Sequence, residues 1–190
     1  LLESGPLPEK VFGAADAPVT VERAEGRIEV VSTQPTFALQ GELAQLFPVL
    51  APGEAMPLGE GRVYGDGADD LVVFTFGNGV PMSLRAARTI QAEQGWSVRV
   101  VDLRWLLPLN EAAIARHAAE CARILVVDEG RRSAGVGEGI ITAVVEAGLG
   151  ATPLRRVVGA DTYTPLAGAA LLVIPGEDDI VTAARALASG

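Results

Sequence analysis

The sequence is short of most features that would announce a chemical activity. It holds one cysteine, Cys121, so it has no intrachain disulfide framework, and one histidine, His117, too few for a histidine-rich metal site. Basic residues number 15 against 24 acids, a formal charge of −9, and they are scattered apart from Arg131-Arg132 and Arg155-Arg156. Without a basic stripe to displace counterions from phosphates, the composition argues against a nucleic-acid partner. Aromatic residues make up 5%. The longest apolar run, around Ala169–Ile174, falls far short of the roughly 18 residues that span a membrane, so no membrane partner is expected. No stretch has the basic, apolar and small-residue regions of a signal peptide, and a reducing cytoplasm fits best. The first residue is Leu1, as in a chain that is processed, truncated or part of something longer.

What is present fits an α/β protein. The 190 residues are 49% apolar and include 22 glycines, enough for one well-buried domain with a smaller appendage and many strand-to-helix turns. The organising stretch is Trp96–Glu129. Ser97–Asp102 is a β-branched run, Asn110–Cys121 has helical spacing with Asn110 as N-cap and Ile114, Ala118 and Cys121 on one stripe, and Ile124–Asp128 is a second apolar run. Strand, crossover helix and strand make a βαβ unit. Both faces of a parallel sheet are covered, which accounts for strands that are solidly apolar.

Residues 1–57 read differently, as a lead-in segment with seven of the twelve prolines. Val19–Glu22 and Ile28–Val31 predict a hairpin around Glu25-Gly26, and Phe37–Phe47 is helix-like. From Leu58 the pattern becomes regular. Arg62–Tyr64 and Leu71–Thr75 predict strands, and Val80–Gln94 a helix stopped by Gly95. After Glu129 a glycine-rich turn leads into a helix over about Gly137–Ala147. Leu154–Val158 is the last strand, and Glu177–Leu187 a terminal helix with Glu177, Asp178 and Asp179 where its dipole favours acids. Val73, Val100, Val126 and Ile141 are the expected core.

The candidate chemistry is sparse. Gly65-Asp66-Gly67 could begin a thiamine-diphosphate and magnesium motif, but positions 92–97 read Ala-Glu-Gln-Gly-Trp-Ser where an asparagine is required, so an ordinary hairpin turn is the preferred reading. Gly77-Asn78-Gly79 at a strand-to-helix turn could offer amides to an anion, or simply permit a sharp turn; no Lys-Ser/Thr follows as in a phosphate loop. Gly135, Gly137 and Gly139 lack the spacing of a dinucleotide fingerprint and suit close helix–sheet packing. His117 lies one turn before Cys121. A surface or boundary histidine beside a small core cysteine is preferred over a Cys-His pair. Asp128 and Glu129 end a parallel strand where open α/β sheets hold ligands, but with Arg131 and Arg132 directly after they could equally form a salt-bridged subunit contact, and a structural or interface role is the preferred reading. Gly77, Asn78, Gly79, Glu129, Arg131 and Arg132 are therefore the candidate ligand or interface residues, with no catalytic, cofactor or metal residue assigned.

Five pieces in order, over Leu58–Leu187, resemble the C-terminal domain of the transketolase-like thiamine-diphosphate enzymes. They are Pro57–Val63; Val73–Gly77 before Ser83–Ala87; Val101–Arg104 with Pro108-Leu109; Val126–Gly130 with Gly135–Glu138; and Val157–Asp161 with Thr164-Pro165. The likeness is greatest to the β-subunit of the decarboxylating component of 2-oxo acid dehydrogenase complexes. It implies, for residues 58–190, a three-layer α/β/α domain with a mixed five-stranded sheet whose short first strand is antiparallel. The first 57 residues carry no match to the family's pyrimidine-binding domain.

The resemblance also implies where the chemistry is not. In this family thiamine diphosphate and magnesium are held by the other domains, so this segment alone should bind neither and catalyse nothing. Its role would be dimerisation and docking, with a second copy, the remaining domains or α-subunit, and the dihydrolipoyl acyltransferase as partners. The alternative is a free-standing small-ligand or regulatory binding domain of the same fold, using the strand ends at Gly77–Gly79 and Glu129–Arg132. A small hydrolase or transferase is the poorest reading, for want of a nucleophile elbow or a second histidine.

Overall fold

The computed structural model describes residues 19–24, 27–32 and 59–188. The chain divides into two compact units, Leu1–Gln45 and Leu46–Gly190. In the first, β1 (Val19–Ala24) and β2 (Arg27–Ser32) form the expected antiparallel hairpin, with Ala24 opposite Arg27. The helix expected at Phe37–Phe47 lies outside the described residues.

The second unit is built on a five-stranded sheet. Its strands are β3 (Arg62–Tyr64), β4 (Leu71–Thr75), β5 (Val98–Asp102), β6 (Ile124–Arg131) and β7 (Leu154–Gly159), arranged β3-β5-β4-β6-β7. β3 runs antiparallel to β5, and the other pairs are parallel. Four helices cover it: α1 (Gly79–Gln94), α2 (Glu111–Ala119), α3 (Val136–Glu146) and α4 (Glu177–Ala188).

The period of two along the strands divides the core into two layers. Leu71, Val73, Val100, Leu125 and Val127 face α1 and α4, meeting Ala86, Ile90, Ile180 and Ala184. Val72, Phe74, Val101, Ile124 and Val126 face α2 and α3, meeting Ile114, Ala118, Ile140 and Val144. This is the expected three-layer α/β/α fold. Val73, Val100 and Val126 are buried as expected, but Ile141 is only half-buried; Ile140 is the fully buried isoleucine of α3, because Ile140, Ala143 and Val144 share the face turned to the sheet.

Local chemistry sets the boundaries. Gly95 ends α1 in the left-handed conformation, φ +71°, its N–H bonded to Gln91 O. Asn110 caps α2, its Oδ1 accepting from Ala113 N at 3.1 Å, while its Nδ2 donates to Gly59 O at 3.0 Å and ties the start of the domain down. α2 stops at Ala119, so Cys121 lies just beyond it, buried all the same. Ser97 precedes β5 as a clamp: its N–H and hydroxyl both donate to Asp70 Oδ2, at 2.8 and 2.9 Å. The turn at Gly65–Gly67 is no hairpin. β5 lies between β3 and β4, so this turn, closed by Ala68 N–H to Gly65 O at 3.1 Å, joins strands that are not neighbours.

Candidate functional site

From β4 the chain winds toward β5 on one side and β6 lies on the other, so the C-terminal ends of β4 and β6 flank the switch point where open α/β sheets hold ligands. The sequence-derived candidates converge on that point. Gly77 takes φ +56°, which lets the chain leave β4 sharply and enter α1. Gly79 passes so close to buried Thr75 that a Cβ there would strike the threonine hydroxyl. Between them, Asn78 Nδ2 donates to Glu129 Oε1 at 2.8 Å, joining the β4–α1 turn to the end of β6. The crevice is thus bridged by the chain's own side chains.

Asp128 is committed just as firmly. It is 2% exposed, and its two carboxylate oxygens accept from Gly130 N at 2.7 Å and Gly137 N at 2.8 Å. The second bond satisfies an orphan amide in the first turn of α3, where the helix dipole also favours the negative charge. Gly135 and Gly137 are needed for this close approach: a Cβ would sit 2.8 and 3.2 Å from Asp128 Oδ2, respectively. Within the chain Asp128 bonds backbone N–H groups and Glu129 bonds Asn78.

Arg131 and Arg132 are exposed and act at a distance on Asp161. The Ser133 hydroxyl and N–H donate to the two Asp161 oxygens at 2.7 and 2.8 Å and hold that carboxyl below its usual value, with the two arginines adding to the effect. This Ser133–Asp161 clamp was not foreseen from the sequence. It fixes a shallow depression of about 560 Å³ bordered by Arg131, Asp161 and Tyr163.

The opposite end of the sheet holds a second polar cluster. His117 is 4% exposed, not a surface or boundary residue as expected. Arg99 from β5, 4% exposed, lies 3.1 Å from His117 Nδ1 and also pairs with Glu120, while Arg116 lies 3.3 Å from His117 Nε2. Burial pushes the imidazole pKa down, and the charges of Arg116 and Arg99 push it the same way. Burial likewise pushes the Cys121 thiol up, and its Sγ donates to Ala68 O at 3.5 Å, so it behaves as a core residue. The visible signal was Arg99, a charged residue at an inward strand position.

These residues do not fit a thiamine-diphosphate and magnesium site. Asp66 precedes β4 and Asn78 follows it, and five strand residues separate the two ends of β4 by roughly 16 Å, so carboxylate and amide cannot meet on one metal ion. Among the described residues no group of three His, Cys, Asp or Glu side chains could hold a metal ion.

Comparison with known proteins agrees with this geometry. The family described as "Transketolase, C-terminal domain" matches residues 59–178. The chain is 32% identical over 180 residues to the pyruvate dehydrogenase E1 component subunit beta-1 of Arabidopsis thaliana mitochondria, covering 89% of this chain and 49% of that protein. With the E1 subunit beta of Staphylococcus aureus it shares 32% over 130 residues, 67% of this chain and 39% of that one. The wider plant match takes in part of the segment ahead of Leu58, a likeness its motifs alone did not reveal. The chain therefore spans about half the length, or less, of these curated relatives. Among solved structures, a split-gene transketolase in an inactive β4 tetramer superposes with a TM-score of 0.62 at 23% identity, over 74% of this chain and 45% of that one, a likeness of fold. Matched over most of its described length and carrying the same mixed sheet, this chain belongs to the transketolase C-terminal domain family.

Proposed function

We propose that residues 58–190 are the assembly domain of a thiamine-diphosphate-dependent 2-oxo acid dehydrogenase, with residues 1–57 as its lead-in. The whole enzyme would work in the cytoplasm, oxidatively decarboxylating a 2-oxo acid and passing the acyl group to lipoamide. Thiamine diphosphate and magnesium, held by the remaining domains or α-subunit, would supply that chemistry. This chain's part would be to pair with a second copy and to present a surface to the dihydrolipoyl acyltransferase. The relatives named as pyruvate dehydrogenase E1 β subunits support the reading.

One observation carries it. Between Tyr163 and Leu172 four large apolar side chains stand in solvent: Tyr163 is 95% exposed, Leu166 91%, Leu171 74% and Leu172 85%. Fully covering such side chains would contribute about 1.5–3 kcal/mol each, so a chain whose core is otherwise well formed has reason to bury them against a partner. The rim of this interface would include Gly77, Asn78, Gly79, Glu129, Arg131 and Arg132. The Asn78–Glu129 bond across the switch point counts against the alternative of a small-ligand domain.

Sedimentation velocity at micromolar concentration tests the reading. The chain should run as a dimer or larger, and Leu166→Ser with Leu172→Ser should shift it to monomer. A monomeric parent chain would overturn the proposal.

A further inference from the structure

β7 is an edge strand, paired with β6 on one side only. The bond from Ile124 N to Pro153 O sets the phase of that parallel ladder: the peptide groups of Arg155 and Val157 point to β6, and those of Leu154, Arg156 and Val158 point outward. Further along, Ala160 N donates to Val173 O at 2.8 Å, so the following chain closes the edge there. Among the described residues, no backbone partner meets the outward groups of Leu154, Arg156 and Val158. A groove of about 780 Å³ runs along the strand, walled on its far side by α4 through the small side chains Ala183 and Ala186 and closed at one end by Val173. An unpaired strand edge bordered by such an open groove has room to receive one more strand.

The charge of the groove selects what could enter. Arg132, Arg155 and Arg156 border it, against the single carboxylate of Asp179, which already accepts from Gly176 N at 2.8 Å. Among the described residues Arg132 and Arg155 form no ion pair. Arg156 has only a loose one, 3.7 Å from Glu138, and its buried Nη1 has no hydrogen-bond partner. On a chain of net charge −9 this edge is a local inversion of sign. Side chains alternate across a strand, so Arg155 and Arg156 stand on opposite faces of the sheet and flank anything paired with β7 above and below. Symmetric pairing with a second copy would bring two cationic edges together, which disfavours it.

We propose that the β7 edge is a docking site for an extended acidic peptide segment of a partner protein, added to the sheet as a sixth strand. Backbone bonds at Leu154, Arg156 and Val158 would give the register, and carboxylates on the incoming strand would meet Arg155, Arg156 and Arg132. The groove shares Leu172 with the exposed apolar surface, but the proposal rests on the outward backbone of β7 and its arginines and not on the exposed leucines.

The test uses the full chain with two capped peptides, one of alternating valine and glutamate and one of alternating valine and lysine. The glutamate peptide should bind at least about tenfold more tightly at low salt, and should slow amide exchange at Arg156 and Val158. Val158→Pro removes an outward N–H without touching the β6 ladder and should abolish binding. Arg155→Glu should narrow the preference for the glutamate peptide with no change in thermal stability. No binding, equal binding of both peptides, or tight binding of a single-stranded oligonucleotide without amide protection would overturn the proposal. So would loss of self-association in Val158→Pro, which would assign the edge to a second copy.

Discussion

Replacing Asp128 with alanine should be among the most destabilising single changes in the domain. The carboxylate accepts two backbone hydrogen bonds, 2.7 Å from Gly130 N and 2.8 Å from Gly137 N, at a position 2% exposed. Hydrogen bonds to a charged group contribute about 1.5–3 kcal/mol each, and the favourable charge at the start of α3 adds about 0.3–1 kcal/mol. Some of this is offset because the alanine variant can admit water, so the expected loss is about 3–5 kcal/mol, a large part of the ~5–15 kcal/mol that holds a domain together. Asp128→Asn should lose about half as much: its Oδ1 still accepts one bond, but its amide nitrogen would face the other N–H. Urea unfolding followed by circular dichroism measures the difference, and amide exchange at Gly137 should accelerate in both variants. A loss under about 1 kcal/mol for alanine, with Gly137 still protected, would refute the assignment of Asp128 as the structural anchor of α3.

Gly79→Ala should destabilise by about 1–3 kcal/mol through collision with Thr75 Oγ1, and Thr75→Ala should restore much of that loss, because the hydroxyl removed has no hydrogen-bond partner; independent effects in a double-mutant cycle would disprove the contact. His117, held below the ordinary histidine value of 6.5 first by burial and then by Arg116 and Arg99, against weaker opposing effects of Glu120 and Asp66, should stay neutral in the folded state when the unfolded chain has begun to bind a proton. Its contribution is therefore complete above about pH 6.5 and lost as pH falls through the lower folded value; the single histidine ring signal should titrate below 6.5, and His117→Gln should flatten the pH dependence of the urea midpoint. Calorimetry with thiamine diphosphate and magnesium should give no stoichiometric heat, and a signal abolished by Asp66→Ala would show that Gly65–Gly67 does more than turn the chain.

The regular elements were legible because local signals bound them. β3 and β4 match residue for residue, set off by Gly65–Gly67 and Gly77, and α1 ends at Gly95 as its sequence requires. Errors arose where local pattern carries no phase. α3 is apolar nearly all round, so Ile140 and Ile141 look equivalent until the sheet picks one. His117 has ordinary boundary spacing on α2, and its burial comes from Arg99 reaching across from β5. For Asp128 the sequence favours a structural or interface role over a ligand one, but which structural role it has depends on the return of Gly137 to it, a long-range fact. The turn at Gly65–Gly67 has hairpin chemistry yet joins strands separated by β5, because turn sequence fixes a local bend and not the order of strands.

A catalytic carboxylate or imidazole must be free to change its partner or its proton as a reaction proceeds. At the C-terminal end of this sheet the acids are otherwise occupied: Asp128 by Gly130 and Gly137, Glu129 by Asn78, Asp161 by Ser133. At the other end Ser97 holds Asp70, and burial, with Arg116 and Arg99 acting the same way, holds His117 away from protonation. Each of these bonds stiffens the join between a strand and the segment that follows or precedes it. By contrast, the apolar side chains from Tyr163 to Leu172 stand in solvent and the outward peptide groups of β7 meet no backbone partner among the described residues. Groups of that kind gain free energy only by meeting another surface, so the domain's polar residues build a rigid frame and its reactivity toward other molecules lies in what that frame leaves uncovered.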